Sequence, residues 1–399
     1  MRLCQVGVEP LHGARPRVGG GAGIVAGARV VQKGMARAGV DDHIERLLLP
    51  VHLRLQAVVL LRRDTGVIFA IDGEHAVTVH GHDTREHCVY DLDGRASQVS
   101  IGALLETIAI AATRFRLSTE VTRRRDAPEQ APVFDVTFDE APAMQADPLS
   151  AFIVERRVCR RPLSTRALTA AERDALERAA APYTLRWFDG WRGRLRMAGV
   201  NFRNAGLRLT LPEAYEVHRD VIEWGATQSE DRIPDAALGA SPLSLAMMRM
   251  AMKSWQRVDF LNRYLAGTLA PRIEMDWIPG IASAAHMTLV ASEAPSDIDD
   301  YVAAGRAVQR LWLTAASLGL QFQPSYTPLV FSRFVRDGVR FTSSPAAHRR
   351  AARVRDELGD LLGQDFVDRT VFMGRLGAGA PARARSTRLP LDRLMNDPT

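Results

Sequence analysis

Four arginines occupy six consecutive positions inside the stretch VERRVCRRPL, residues 154–163: Arg156, Arg157, Arg160 and Arg161. A second basic group, Arg383, Arg385 and Arg388, lies in ARARSTRLPL near the end of the chain. A guanidinium offers a planar fork of N–H donors that matches a phosphate dianion. Two such groups, each beside an ordered apolar element, could meet around one phosphate. The same clusters also read as a nucleic-acid patch, or as solvated charge near a helix C-terminus, where the helix dipole favours cations.

Other chemistry is thinly represented. His75, His80, His82 and His87 crowd one stretch, and His80 and His82 share a strand face. A metal needs three or four converging ligands, so the bland alternative is a solvated strand edge. Cys4, Cys88 and Cys159 are widely spaced, which argues against a disulfide framework or a thiolate zinc site. It favours a reducing, cytoplasmic setting. No nucleophile elbow and no Walker loop occurs. Gly21 to Ala26 fits a dinucleotide fingerprint formally, but no strand precedes it and no βαβ unit follows.

The elements that must position these residues emerge from periodicity. VIFAIDGEHAVTVHG reads as a hairpin: a strand 67–71, Asp72-Gly73 as the turn, then an alternating strand 76–80. Residues 97–117 read as a long buried helix with Ser97 as N-cap. STEVTRR and VFDVTFD read as strands. Asp147-Pro148 opens a helix whose last turn carries Arg156 and Arg157. Residues 169–180 form a helix with Thr169 and Glu172 in capping-box spacing. GLRLTL (206–211) reads as a short strand. Residues 213–270 are mostly helical, with the methionines of AMMRMAMKSW taken as core. Strands at 286–292 and 369–377, a long helix from Asp297 to Gly319 and helices over 345–363 complete the pattern. Long helices interleave with few strands, so the class is α+β.

Composition narrows the function. The chain has 399 residues, 46% hydrophobic and 25% charged, ordinary values for a globular protein with a sizeable core. The net charge is +6, yet residues 1–40 hold six basic residues against the single acid Glu9. The rest is nearly neutral, which argues against nucleic acid as a partner. No uninterrupted apolar run approaches the roughly 18 residues of a membrane span. The Arg-rich, acid-poor leader resembles an organellar transit peptide in composition.

Taken together, the two basic motifs resemble those of the FMN-dependent nitroreductase superfamily. RRVCRRPL stands where that family has R-x-S-x-R/K, and STRLPL where it has K/R-x-R-x-P-L. LWLTAASLGLQFQPSYTP stands where a helix leads to a turn that meets the flavin ring. Upstream, Asp93, Gly94, Arg95, Gly102 and Ala103 resemble the fused, Acg-like branch, in which two halves share one chain. The resemblance implies an α+β nitroreductase-like fold, with a small central mixed or antiparallel sheet flanked by long helices. It also implies a possible intrachain pseudo-dimer, or else a homodimer. The domains would be a disordered Gly/Arg-rich leader (1–40), an N-terminal half (41–146) and a C-terminal half (147–399). Arg156, Arg157, Arg160, Arg385 and Arg388 would hold the FMN phosphate. Ser325, Tyr326 and Thr327 would line the ring, a backbone N–H near Thr327 facing N5. The implied activity is ping-pong hydride transfer from NAD(P)H through FMN to a nitro compound or quinone. A flavin-storage protein and a biosynthetic flavin enzyme are the alternatives. Glu223, Trp224, Arg232, Trp255, Asn262 and Arg263 would form a substrate lid or, equally, structural ion pairs and caps.

The sequence departs from the family at two places. Val158 stands where the family has serine. The family's P-S-x-x-N-x-Q-P-W motif is replaced by VVLLRRDTGVIFAI, where Arg62 and Arg63 could supply phosphate contacts. This leads us to expect a mis-set start or a shifted reading frame upstream of Ile68.

Overall fold

The computed structural model describes residues 68–72 and 75–387. The readings made for the leader, Gly21 to Ala26, Arg62, Arg63, Gly73 and Arg388 lie outside the described residues. The first sheet is built from β1 (Ile68–Asp72), β2 (Ala76–His80), β3 (Leu117–Arg123) and β4 (Val133–Glu140), in the order β1-β2-β4-β3. Its inward residues alternate as a half-buried strand requires: Val77 and Val79, then Phe134, Val136 and Phe138, are all buried. The β1–β2 register pairs Asp72 with Ala76, so three residues connect the strands rather than the two expected.

Helix α1 (Arg95–Ala112) follows β2. It begins two residues before the expected Ser97 cap. Asp91 takes the capping role, accepting hydrogen bonds from the Ala96 and Ser97 N–H groups and from the Ser97 hydroxyl. The region Arg95–Phe115 is long and apolar enough to cross a membrane, but 67% of its span is buried within the protein.

The second sheet takes β5 (Thr184–Phe188), β9 (Ala285–Val290), β10 (Leu320–Pro324) and β11 (Thr370–Ala378), in the order β10-β11-β9-β5. Between β5 and β9 lie three two-residue strands: β6 (Ile222–Glu223), β7 (Gln228–Ser229) and β8 (Ile233–Pro234). The first helices of this half are α2 (Ala170–Ala180), α3 (Trp191–Arg208), α4 (Pro212–Val221), α5 (Pro242–Ala251) and α6 (Trp255–Tyr264). Then come α7 (Leu269–Arg272), α8 (Ile278–Ile281), α9 (Ile298–Ser317), α10 (Thr327–Arg336), α11 (Pro345–Leu362) and α12 (Gln364–Arg369), before the final β12 (Arg385–Ser386). α2 carries the expected capping box, with Thr169 and Glu172 bonded reciprocally. α9 is capped by Asp297 in the same way.

The α+β class holds, but one central sheet is replaced by two, and both four-stranded sheets are wholly antiparallel. They also share one topology. In each, strand, strand, helix, edge strand and inner strand follow in chain order, as β1-β2-α1-β3-β4 and as β5-β9-α9-β10-β11. Helices α1 and α9 pack against each other at two glycines. A Cβ added at Gly102 would lie 2.0 Å from the Val302 carbonyl oxygen, and one at Gly305 would lie 2.1 Å from that of Val99. The contact is reciprocal: each glycine faces the carbonyl three residues before the other.

Glu106 of α1, almost fully buried, receives Arg306 and Arg310 of α9 at 2.8 and 2.6 Å. The first core joins β2, β4 and α1 to Ile298, Val302 and Leu313 of α9. The second joins β9, β10, β11 and most of α9 to Val99 of α1. The helix pair therefore belongs to both cores.

Three local expectations fail. The helix from Asp147 is a single 3₁₀ turn, Pro148–Phe152, because Ile153 turns into the core and the chain then extends towards β10. GLRLTL is the end of α3 and the link to α4: Leu207 is buried on the last turn of α3, and Leu211, also buried, is extended backbone just before α4. The methionines of α5 do not fill a core: Met247 and Met250 are 59% and 62% exposed, and no residue of that helix is buried.

Candidate functional site

The arginine segment runs along the edge of the second sheet. Asp147 caps the 3₁₀ turn by accepting from the Leu149 N–H, and the Arg156 N–H bonds back to the Phe152 carbonyl. Val158 then makes a parallel bridge to Phe322 on β10, and the Cys159 N–H donates to the Phe322 carbonyl at 3.0 Å. Strand alternation around this bridge sends successive side chains to opposite sides. The Arg156 guanidinium stacks on Trp312 of α9, 4.2 Å from the ring centroid. Arg157 donates to the Ala382 carbonyl at 2.9 Å, and Arg160 to the Ala237 carbonyl at 3.1 Å. Arg161 is exposed.

The second basic group arrives from the other end of the chain. β12 pairs in parallel with β7, setting Arg385 opposite Gln228. The Arg385 guanidinium donates to the Val154 carbonyl at 3.3 Å, and Arg383 is exposed. Segments 154–160 and 382–387 are thus joined by reciprocal arginine-to-carbonyl bonds. Among the described residues no carboxylate pairs with Arg157 or Arg385. Each commits only one or two of five N–H donors, and the others remain for an anion.

The third segment is the turn between β10 and α10. The Ser325 N–H donates to the Met373 carbonyl at 2.9 Å. Tyr326 ends the turn with its ring stacked on Phe372, and its hydroxyl accepts from Arg333 at 3.1 Å. Burial pushes that phenol up to about 12. The Thr327 hydroxyl accepts from Asn204 of α3 at 2.7 Å. The N–H groups of Tyr326 and Thr327, at the N-terminus of the ten-residue α10, have no acceptor among the described residues. A helix N-terminus leaves such donors free for an electron-rich partner.

Two arginines that sequence reasoning missed support these segments. Arg375 of β11 is 2% exposed; it donates to Gln323 at 2.7 Å and to the Arg161 carbonyl at 2.9 Å. Its Nη1 has no partner among the described residues, and burial lowers its pKa to about 10. Arg333 of α10 ion-pairs with Asp93 at 2.9 Å and lies against the Tyr301 and Tyr326 rings. Asp93 belongs to the first half, so the turn is fastened to both halves. The only sequence signal was a lone arginine within each apolar run, which periodicity treats as noise.

Of the six residues expected in a lid, five have structural partners. Asn262 donates to the Leu209 carbonyl, Arg263 pairs with Asp259, and Arg232 with Asp231. Trp255 packs on Tyr215, and Glu223 lies in the small β6–β8 ladder. Among the described residues no three His, Cys, Asp or Glu side chains converge as metal ligands.

These uncommitted donors are of the kind that a phosphate and a flavin ring would take. The phosphate would meet Arg157 and Arg385, with Arg156 and Arg160 on the same segment. Carbonyl groups of the ring would meet the free α10 N–H groups, and the Arg375 Nη1 is a further buried donor.

No protein-family profile matches the chain, and no curated protein does. Among solved structures it is similar to a nitroreductase-like family protein from Bacillus cereus, at 14% identity over 63% of this chain and 96% of that one, with a TM-score of 0.33. It is similar in the same degree to the FMN-dependent nitroreductase NfnB from Mycobacterium smegmatis in complex with NADPH, at 13% identity, 63% and 98% coverage and a TM-score of 0.33. A variant of an FMN and NADPH-dependent nitroreductase derived from a sphigopyxis strain aligns at 18% identity over 63% of this chain and all of that one, again with a TM-score of 0.33.

Proposed function

We propose that the chain is an FMN-dependent oxidoreductase that takes hydride from NAD(P)H and delivers it to an electron-poor acceptor of the nitro or quinone type. The observation that carries this reading is the convergence of three segments far apart in sequence. Residues 154–160, 320–327 and 382–387 are joined by the Arg157–Ala382, Arg385–Val154 and Cys159–Phe322 hydrogen bonds. The flavin, when bound, supplies two-electron chemistry, so the protein needs no nucleophile of its own. Arg157 and Arg385 would neutralise the phosphate, helped by Arg156 and Arg160. Ser325, Tyr326 and Thr327 would orient the ring. Tyr326 is held still by Phe372 and by Arg333, whose charge Asp93 balances.

We further infer that the two halves form a pseudo-dimer within one chain. The repeated strand order and the reciprocal Gly102–Gly305 contact support this. A flavin-bound species eluting at the mass of one 44.0 kDa chain is then expected, and one eluting at twice that mass would replace it with a homodimer.

The test of function is the visible spectrum of the purified chain after FMN addition and desalting. Retained flavin that bleaches with NAD(P)H is expected. Replacing Arg157→Gln or Arg385→Gln should each weaken FMN binding roughly tenfold, the scale of one charge-assisted hydrogen bond. Arg161→Gln should leave it unchanged. Retained flavin that no nicotinamide reduces would favour a flavin-storage role, and no retained flavin would overturn the reading.

A further inference from the structure

Helices α5 and α6 form a hairpin held to the body along one side. Trp255 of α6 packs on Tyr215, and Asn262 donates to the Leu209 carbonyl at 3.0 Å. Between the helices, the Tyr215 hydroxyl donates to the Met252 carbonyl at 3.1 Å. The Arg257 guanidinium donates to the Met250 carbonyl at 3.4 Å, so the first turn of α6 sits against the last turn of α5.

The other side is also apolar. α5 turns out Leu243, Met247 and Met250, whose i, i+4, i+7 spacing places them on one helical face. α6 turns out Phe260 and Tyr264, with ring centroids 5.1 Å apart, and Leu265 follows. All six are exposed, from 55% at Phe260 to 72% at Leu243. A helix that is apolar on both sides is ordinarily covered on both. Single exposed apolar residues need no explanation, but a run this dense marks an interaction surface.

The charges within this surface have one sign. Every exposed charged side chain from 242 to 278 is a cation: Arg249, Lys253, Arg257 and Arg263. The acids of the stretch are half-buried and engaged. Asp259 pairs with Arg263 at 2.9 Å, Glu274 accepts from the Ser241 N–H at 2.5 Å, and Asp276 lies 3.6 Å from Arg208. Arg249, Lys253 and Arg257 have no carboxylate partner among the described residues.

The same surface offers little to a hydrogen-bonded partner. Of its exposed side chains between 242 and 265, only Gln256 and Tyr264 carry a neutral hydrogen-bonding group. A specific protein interface takes about one hydrogen bond per 100–200 Å² and needs more than that. Apolar side chains among unpaired cations are instead the composition of a helix lying in a lipid headgroup layer. The long stems of Lys and Arg keep their charges at the headgroups while the apolar side sinks further.

We propose that the outer face of the α5–α6 hairpin docks on the surface of an anionic lipid bilayer. Leu243, Met247 and Phe260 enter the boundary of the acyl chains, and Arg249, Lys253 and Arg257 meet the headgroup phosphates. This goes beyond the oxidoreductase reading and does not depend on it.

The test is co-sedimentation of the full chain with vesicles of phosphatidylcholine alone and of phosphatidylcholine mixed with phosphatidylglycerol. The mixed vesicles are expected to bind roughly a hundredfold more tightly, the reach of three cations at an anionic surface. That preference should shrink at high salt and vanish in Arg249→Gln/Lys253→Gln/Arg257→Gln. Met247→Ser/Phe260→Ser should weaken binding to the mixed vesicles about tenfold or more, through lost apolar burial. All these side chains are exposed, so the thermal midpoint should stay where it is. Trp191→Ser, an exposed apolar residue at the start of α3, should bind like the parent. Equal binding to both kinds of vesicle overturns the proposal. So does binding that survives both multiple replacements, as it would if the basic residues 1–40 supplied it. A lipid-free dimer that Met247→Ser/Phe260→Ser dissociates would assign the face to a second copy and overturn the proposal as well.

Discussion

His286 shows how burial sets the chemistry of a single side chain. It is wholly buried on β9, opposite Arg375, with Nε2 2.8 Å from the Gly280 carbonyl. Burial lowers its pKa from 6.5 to about 4, with Arg375 and Arg194 adding to the effect and the Gly280 bond opposing it. Between those values the unfolded chain binds a proton that the native one does not, so stability rises with pH in that window and is lost on acidification. Urea unfolding at pH 7, 5.5 and 4.5 should show a loss of up to about 1.4 kcal/mol per pH unit from this group. His286→Gln should flatten that slope, whatever it does to stability at pH 7; an unchanged slope would place the titration elsewhere. At this scale the sequence singled out Arg156, Arg157, Arg160 and Arg385 because clusters of like charge stand out, and the structure brings their two segments together. Arg333, Arg375 and Asn204 were not singled out, because an isolated polar residue in an apolar run shows its role only when its partner, distant in sequence, is known.

At the scale of elements, the α1–α9 crossing is the most sensitive contact. The 2.0 Å separation at Gly102 is from a backbone oxygen, which cannot rotate aside. Gly102→Ala should therefore force the helices apart and cost roughly 2–3 kcal/mol, as overpacking does. Thermal unfolding would measure it, and Ala103→Gly one position along should show no comparable loss by that mechanism. Helix existence was well read from periodicity and caps, as at Thr169 and Asp297. The errors came where tertiary context chose between short alternatives. Residues 206–211 alternate well enough for a strand, but Leu207 enters the core around Phe331 from the last turn of α3 and Leu211 from the link to α4. The helix from Asp147 stops because Val158 must reach Phe322, a partner more than 160 positions away.

For the whole molecule, the two sheets share the α1–α9 pair, and the first core includes residues of both halves. The Asp93–Arg333 ion pair, with Arg333 buried, ties them again. Scanning calorimetry should therefore show one cooperative transition for residues of both halves, and two resolved transitions would mean that the halves fold separately. The sequence by itself determined the class, most long elements and the two basic segments, because these are written in local periodicity, caps and charge. Only the tertiary structure decided that there are two four-stranded antiparallel sheets rather than one, that the glycines of α1 and α9 meet, and that Arg157 donates to the Ala382 carbonyl and Arg385 to that of Val154, each across more than 220 positions of chain. Those are pairings between residues remote in sequence. Which pairings form depends on the summed burial of both cores, and no local window contains that sum.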